Sequence, residues 1–198
     1  MHDVNIELWR QFRLVYPDYF HRKRVLEVGS QDVNGSIKQL FTECDYTGVD
    51  WRPGPNVDIV SLAHDMKFDT PFDAVVSASM LEHDPYWKQS LETMIQYIKP
   101  DGILMLSWGA ALNAEHHNET APDGKFHALP ASWVVNLLDK NNMYIERFVY
   151  ERQIAFEHKT PLQGFGEVGL VAFINSKNGI GVPLLSHYIE QDMVPEPE

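Results

Sequence analysis

Three groups of residues in this chain have types and spacings suited to chemistry. In the first, the apolar run Val25-Leu26-Glu27-Val28 carries one carboxylate and is followed at once by Gly29-Ser30. A strand that stops at a glycine turn and opens a helix near Asn34 would bring backbone N–H groups to one point, where a ligand can be cradled. In the second, Tyr46-Thr47-Gly48-Val49 ends in Asp50. An acid about twenty residues after the first turn can accept hydrogen bonds from both hydroxyls of a ribose. Trp51, directly after it, could pack its flat face on an adenine ring or serve as a core aromatic. In the third, a further apolar run ends at Ala78-Ser79 and leads into Glu82-His83. A histidine there could take a proton from a hydroxyl, or be held in a structural role by Glu82 or by backbone. His116, His117 and His127 follow in a long polar stretch. One of His116 and His117 could act as a base, or both could be plain loop histidines. The trio has no fixed ligand spacing to support zinc or iron. Taken together, the first two groups point to a nucleoside-type ligand.

The bulk composition bounds what surrounds these groups. A length of 198 residues, with 44% apolar and 12% aromatic residues, suits one α/β domain with a substantial core. The formal charge of −12 argues against nucleic-acid backbones and anionic membranes as partners. The basic cluster His21-Arg22-Lys23-Arg24 reads as a solvated lead-in to the first strand. Cys44 is the only cysteine, which leaves no intrachain disulfide and no cysteine zinc cluster. Met1 to Asn5 has no basic-then-apolar signal pattern, and no apolar run approaches the roughly 20 residues that span a bilayer. A cytoplasmic setting is the expectation.

The elements that must position the site follow from periodicity. Val4 to Tyr16 reads as an N-terminal helix against the sheet edge or over the ligand mouth, ended by Pro17. Arg24–Val28 is the first strand, apolar on both faces as a central parallel strand should be. A crossover helix is expected from Gly35 to Phe41, with Ile37, Leu40 and Phe41 inward. Thr47–Asp50 is the second strand, Val57–Val60 a short third and Phe72–Ser77 the fourth. Trp87 to Ile98 is an amphipathic helix, and Ile103–Trp108 the fifth strand. The polar stretch 109–127 is long enough to suggest function. Pro130 to Lys140 is a helix, and the β runs Tyr144–Tyr150 and Val168–Ile174 lack room for a helix between them, so that pair should be antiparallel. The alternation of strands and helices predicts a parallel sheet covered on both faces. The domain reading is an N-terminal helical segment over 1–22, the main domain over 23–176 and an acidic, proline-rich tail over 177–198.

One ordered set of features carries a resemblance: strand-then-Glu27-x-Gly29, the acid Asp50, Met80-Leu81-Glu82-His83 after the fourth strand, the Lys99-Pro100-Asp101-Gly102 turn, and the closing β pair. It resembles the class I S-adenosylmethionine-dependent methyltransferases, in particular the type 11 group that includes the ubiquinone-biosynthesis O-methyltransferases. The resemblance covers roughly Arg24 to Asn175. It implies a three-layer Rossmann-like methyltransferase fold, with a mostly parallel seven-stranded sheet and an antiparallel strand at one end. S-adenosyl-L-methionine is the implied cofactor. By resemblance, Glu27 fixes the loop and the ammonium end, Gly29 and Ser30 give backbone contact, and Asp50 binds the ribose. Ala78 and Ser79 would line the methionine part.

The chain departs from that family in three places. The usual Gly-x-Gly-x-Gly loop is reduced to Gly29, with Gln31 and Val33 where further glycines would stand. Leu62 replaces an Asp that often meets the adenine amino group, which leaves Ala63 and His64 backbone, or the Asp65 carboxylate, for that contact. Ser79 replaces the first carboxylate of a Glu-x-x-Glu-His metal pattern, so no metal is expected. The implied reaction is methyl transfer, at oxygen, to a small-molecule or glycan-like acceptor, with His83, His116 or His117 as the base. Two rivals share the features. An NAD-dependent oxidoreductase needs a fuller glycine fingerprint. A non-catalytic binding module would keep the fold without turnover.

Overall fold

The computed structural model describes residues 3–109, 121–127, 129–153, 156–157, 160–161 and 165–174. His116, His117 and the 177–198 tail lie outside the described residues.

Helix α1 (Asp3–Val15) opens the chain and a 3₁₀ turn, Pro17–Phe20, follows it. Strands β1 (Arg24–Val28), β2 (Asp45–Asp50), β3 (Ile59–Val60) and β4 (Phe72–Ala78) come next. Helix α2 (Trp87–Gln96), strand β5 (Ile98–Gly109) and helix α3 (Ala131–Lys140) continue the alternation. Strand β6 (Met143–Gln153), the small hairpin of β7 (Phe156–Glu157) and β8 (Thr160–Pro161), and β9 (Phe165–Ile174) end it.

The main sheet runs in the order β3-β2-β1-β4-β5-β9-β6. Strands β3, β2, β1, β4 and β5 pair in parallel. β9 is antiparallel to both β5 and β6, so it lies one place in from the edge and β6 regains the common direction. The order reverses between β1 and β4, and a crevice opens at the carboxyl ends of strands at such a reversal.

Strand alternation sorts the core into two layers. Leu26, Val28, Val75, Leu104 and Leu106 pack toward α2 and α3, with Leu91, Met94, Val134 and Leu138. Val25, Val76, Ile103 and Met105 pack on the opposite face against Leu8, Trp9 and Phe12 of α1. The N-terminal helix is therefore one of the three layers. Its approach is close: a Cβ on Gly169 of β9 would stand 2.7 Å from the Leu8 side chain and 3.0 Å from Phe12.

The expected crossover helix after β1 is replaced by a single 3₁₀ turn, Ile37–Leu40. The cause is local. Asp32 Oδ1 accepts from the Gly35 N–H at 2.8 Å, which spends four residues on a side-chain turn. Phe41 is already extended and stacks on Phe20 at 4.4 Å between ring centroids. Ile37 and Leu40, three apart, share one side of a 3₁₀ turn as well as of an α-helix. The face left open by the missing helix is the face that α1 covers.

Candidate functional site

The β1 loop is built by glycine and by backbone pairing to β2. Gly29 takes φ +82°, a region L side chains rarely adopt, and a Cβ there would lie 2.5 Å from the Met80 Cβ. Its N–H and that of Ser30 both donate to the Val49 carbonyl, at 2.8 and 3.1 Å. The loop is thus pinned to the end of β2 and pressed on the segment after β4. Ser30 is buried, with its hydroxyl 2.7 Å from where a Gly48 Cβ would stand.

Asp50 closes β2 beside that loop. One carboxylate oxygen accepts from the Gln31 N–H at 3.1 Å and the other from the Arg52 N–H at 3.3 Å. Each oxygen offers more than one lone pair, so both can still accept from a ligand hydroxyl. Burial raises the Asp50 pKa above its ordinary value, opposed by the backbone N–H groups of Gln31 and Arg52. Arg52 Nε also donates to Gln31 Oε1 at 2.7 Å, which staples the β1 and β2 loops together. Trp51 is 37% exposed and carries the Arg52 guanidinium over its ring at 5.6 Å, so it is a rim aromatic and not a core one.

Glu27 sits on the α1 face of β1 and is buried. Tyr46 Oη donates to Glu27 Oε2 at 2.9 Å, and burial pushes the Glu27 carboxyl up to about 8. Ala63 and His64 begin a 3₁₀ turn, Ala63–Asp65, after β3. The His64 ring lies 4.7 Å from that of Tyr86, just ahead of α2.

Ala78 and Ser79 stand at the carboxyl end of β4, across the order reversal from Gly29. Ser79 takes φ +53° and its N–H donates to the Ser107 carbonyl at 2.9 Å. His83 lies farther on, in the 3₁₀ turn Leu81–His83. Its Nδ1 is 3.2 Å from the Lys125 carbonyl, and its ring meets Phe126 edge-on at 5.7 Å. A carbonyl can only accept, so in the neutral ring Nδ1 carries the proton and Nε2 the lone pair. The buried Glu82 accepts from the Gly109 N–H through Oε1 at 2.9 Å and from the His127 N–H through its backbone carbonyl at 2.6 Å. His127 Nε2 lies 2.9 Å from Asp123 Oδ2.

The residues picked from the sequence therefore fall in four places. Glu27, Gly29, Ser30, Asp50 and Trp51 belong to the ends of β1 and β2, and Ala78 and Ser79 to the end of β4. Ala63 and His64 lie past β3, and His83 belongs to a contact with residues 121–127. Sequence reasoning missed Asn5, Trp9 and Ser107, which reach Ser79 through the core. A lone Asn in the first turn of a helix reads as a cap, and no local pattern ties it to Ser79 at a strand end 74 residues away (spacing of that order is invisible to periodicity).

No protein-family model matches the sequence, and the search of curated proteins found no relative. Solved structures do match. A S-adenosylmethionine-dependent methyltransferase from Clostridium acetobutylicum superposes with TM-score 0.60 at 9% identity, over 88% of this chain and 94% of that one. The Burkholderia thailandensis 1,6-didemethyltoxoflavin-N1-methyltransferase, bound to 1,6-didemethyltoxoflavin and S-adenosylhomocysteine, gives 0.60 at 13% over 85% and 79%. Coclaurine N-methyltransferase, bound to N-methylheliamine and S-adenosylhomocysteine, gives 0.62 at 11% over 86% and 72%. At such identities the likeness is one of architecture, and the chain has the α/β fold of the S-adenosylmethionine-dependent methyltransferases.

Proposed function

We propose that the protein transfers a methyl group from S-adenosylmethionine to an oxygen of a small-molecule or glycan-like acceptor. The observation that carries the reading is Asp50: a buried carboxylate with lone pairs to spare, beside the Gly29 turn and one strand from the point where the sheet order reverses. The fold likeness to methyltransferases crystallised with S-adenosylhomocysteine supports it.

The residues present fit this cofactor better than a dinucleotide. A pyrophosphate is held by the N-terminus of a helix following the first strand. Here only the 3₁₀ turn Ile37–Leu40 follows β1, too short to gather a helix dipole. A sulfonium nucleoside carries no phosphate and needs none. When bound, it supplies a methyl group already activated by the sulfonium charge. Asp50 would hold the ribose hydroxyls, Trp51 the adenine face, and Ala63 and His64 the adenine edge. Glu27, the Gly29–Ser30 loop and Ala78–Ser79 would frame the amino-acid end. An acceptor hydroxyl must lose its proton as it reacts. His83, His116 and His117 are the candidates for that base.

Calorimetric titration with S-adenosylhomocysteine tests the reading. Binding is expected, with Asp50→Ala weakening it about tenfold or more through two lost hydrogen bonds. Heat with NAD and none with S-adenosylhomocysteine would favour the oxidoreductase. Binding without methyl transfer across a broad acceptor panel would favour the non-catalytic module.

A further inference from the structure

A chain of polar side chains runs from the middle of the α1 layer to the rim of the crevice. Trp9 Nε1 donates to Ser107 Oγ at 2.8 Å. Ser107 Oγ donates to Asn5 Oδ1 at 2.9 Å. Asn5 Nδ2 donates to Ser79 Oγ at 2.5 Å. Trp9, Ser107 and Asn5 have no exposed surface, whereas Ser79 is only partly buried.

The direction of this chain is set at its buried end. An indole N–H can only donate. Ser107, accepting from it, passes its own proton to the Asn5 carbonyl oxygen. That fixes the orientation of the Asn5 amide, because the NH₂ group must then face Ser79. Ser79 Oγ accepts from it, and the Ser79 hydroxyl proton is left to point away from the chain. Ser79 is also held in the left-handed region, at φ +53°, which a serine adopts only where its surroundings enforce it. Strain and a directed donor coincide at the carboxyl end of β4, beside the crevice.

We propose that Trp9, Ser107 and Asn5 are positioning residues that hold the Ser79 hydroxyl as a hydrogen-bond donor to the amino-acid end of the nucleoside ligand. This rests on the methyltransferase reading and adds to it an acceptor group, the ligand carboxylate, and a supporting element, α1. A neutral donor set in place by a donor-only indole needs no basic side chain near the crevice. In a chain of formal charge −12, that removes the need to place a cation beside the sulfonium.

The experiment compares two probes on the intact protein: S-adenosylhomocysteine and 5′-methylthioadenosine, which keeps the nucleoside but lacks the amino-acid end. Ser79→Gly removes the hydroxyl while tolerating the left-handed backbone, and Asn5→Leu breaks the chain one link back. Both variants are expected to lose about tenfold in affinity for S-adenosylhomocysteine, with less than about twofold change for 5′-methylthioadenosine. The Trp9 indole resonance, assigned by its loss in Trp9→Phe, should shift when S-adenosylhomocysteine binds the wild type and stay still in Ser79→Gly. Equal losses on both probes, or none on either, overturn the proposal and leave the methyltransferase reading standing. If Asn5→Leu does not fold, Ser79→Gly alone decides. A wild-type protein that binds neither probe sinks the underlying reading and the proposal with it.

Discussion

Burial changes the acid chemistry of Glu27. Its carboxyl is pushed from the ordinary 4.5 up to about 8, with the Tyr46 hydroxyl and the Lys38 charge pulling less strongly the other way. At neutral pH the group is therefore protonated in the folded chain and ionised in the unfolded one. The unfolded state then binds fewer protons, so stability falls as pH rises between the two values and levels off above about 8. Glu27→Gln keeps an acceptor for Tyr46 and cannot ionise. The variant should gain on the wild type in melting temperature as pH rises from 5 to 8. A constant gap between the two proteins across that range would contradict it. Glu27 and Asp50 could both be picked from the sequence because Glu27 is the one carboxylate inside an apolar run and Asp50 ends another. The protonation state of Glu27 could not, since it depends on Tyr46 and on the layer above, which no local window contains.

At the scale of elements, close approach decides more than propensity. Gly29 is demanded twice, by its backbone angle and by Met80, which lies where a Cβ would go. Gly29→Ala should destabilise the protein on the order of 2–4 kcal/mol, combining left-handed strain and overpacking. The check is the urea midpoint, which should fall with little change in slope. Gly169→Ala should lose about 1–3 kcal/mol for a different reason, by forcing Leu8 and Phe12 of α1 off β9. β1 stands at the bounds its apolar run predicts, Arg24–Val28, because a parallel strand buried on both faces leaves an unbroken signal. The segment after it misled for an equally physical reason. Ile37 and Leu40 fit two helix types, and the choice between them was made by Gly35, Asp32 and the Phe20–Phe41 stack.

At the scale of the whole molecule, the first helix is structural cover and site support together. Leu8, Trp9 and Phe12 are fully enclosed in the layer that also holds Val25, Val76 and Met105. A chain beginning at Pro17 would bare that face of the sheet. It should lose near-ultraviolet circular dichroism and bind a hydrophobic dye while keeping much of its far-ultraviolet signal. A sharp, cooperative melt of the shortened chain would refute this. Helix α1 packs on the sheet face formed by Val25, Ala74, Val76, Ile103 and Met105. The sequence shows an amphipathic helix there, but not which face of which sheet it will find.

The strand order has a consequence for synthesis on the ribosome. β9 lies between β5 and β6, although both are made before it. Until residues 165–174 emerge, β5 and β6 have no shared neighbour, and the glycine on which α1 rests is missing. A nascent chain paused after β6 would thus hold an open sheet edge and a loosely seated first helix. Holding such a chain soluble is work for a chaperone, and β9 is the keystone that ends the need for one.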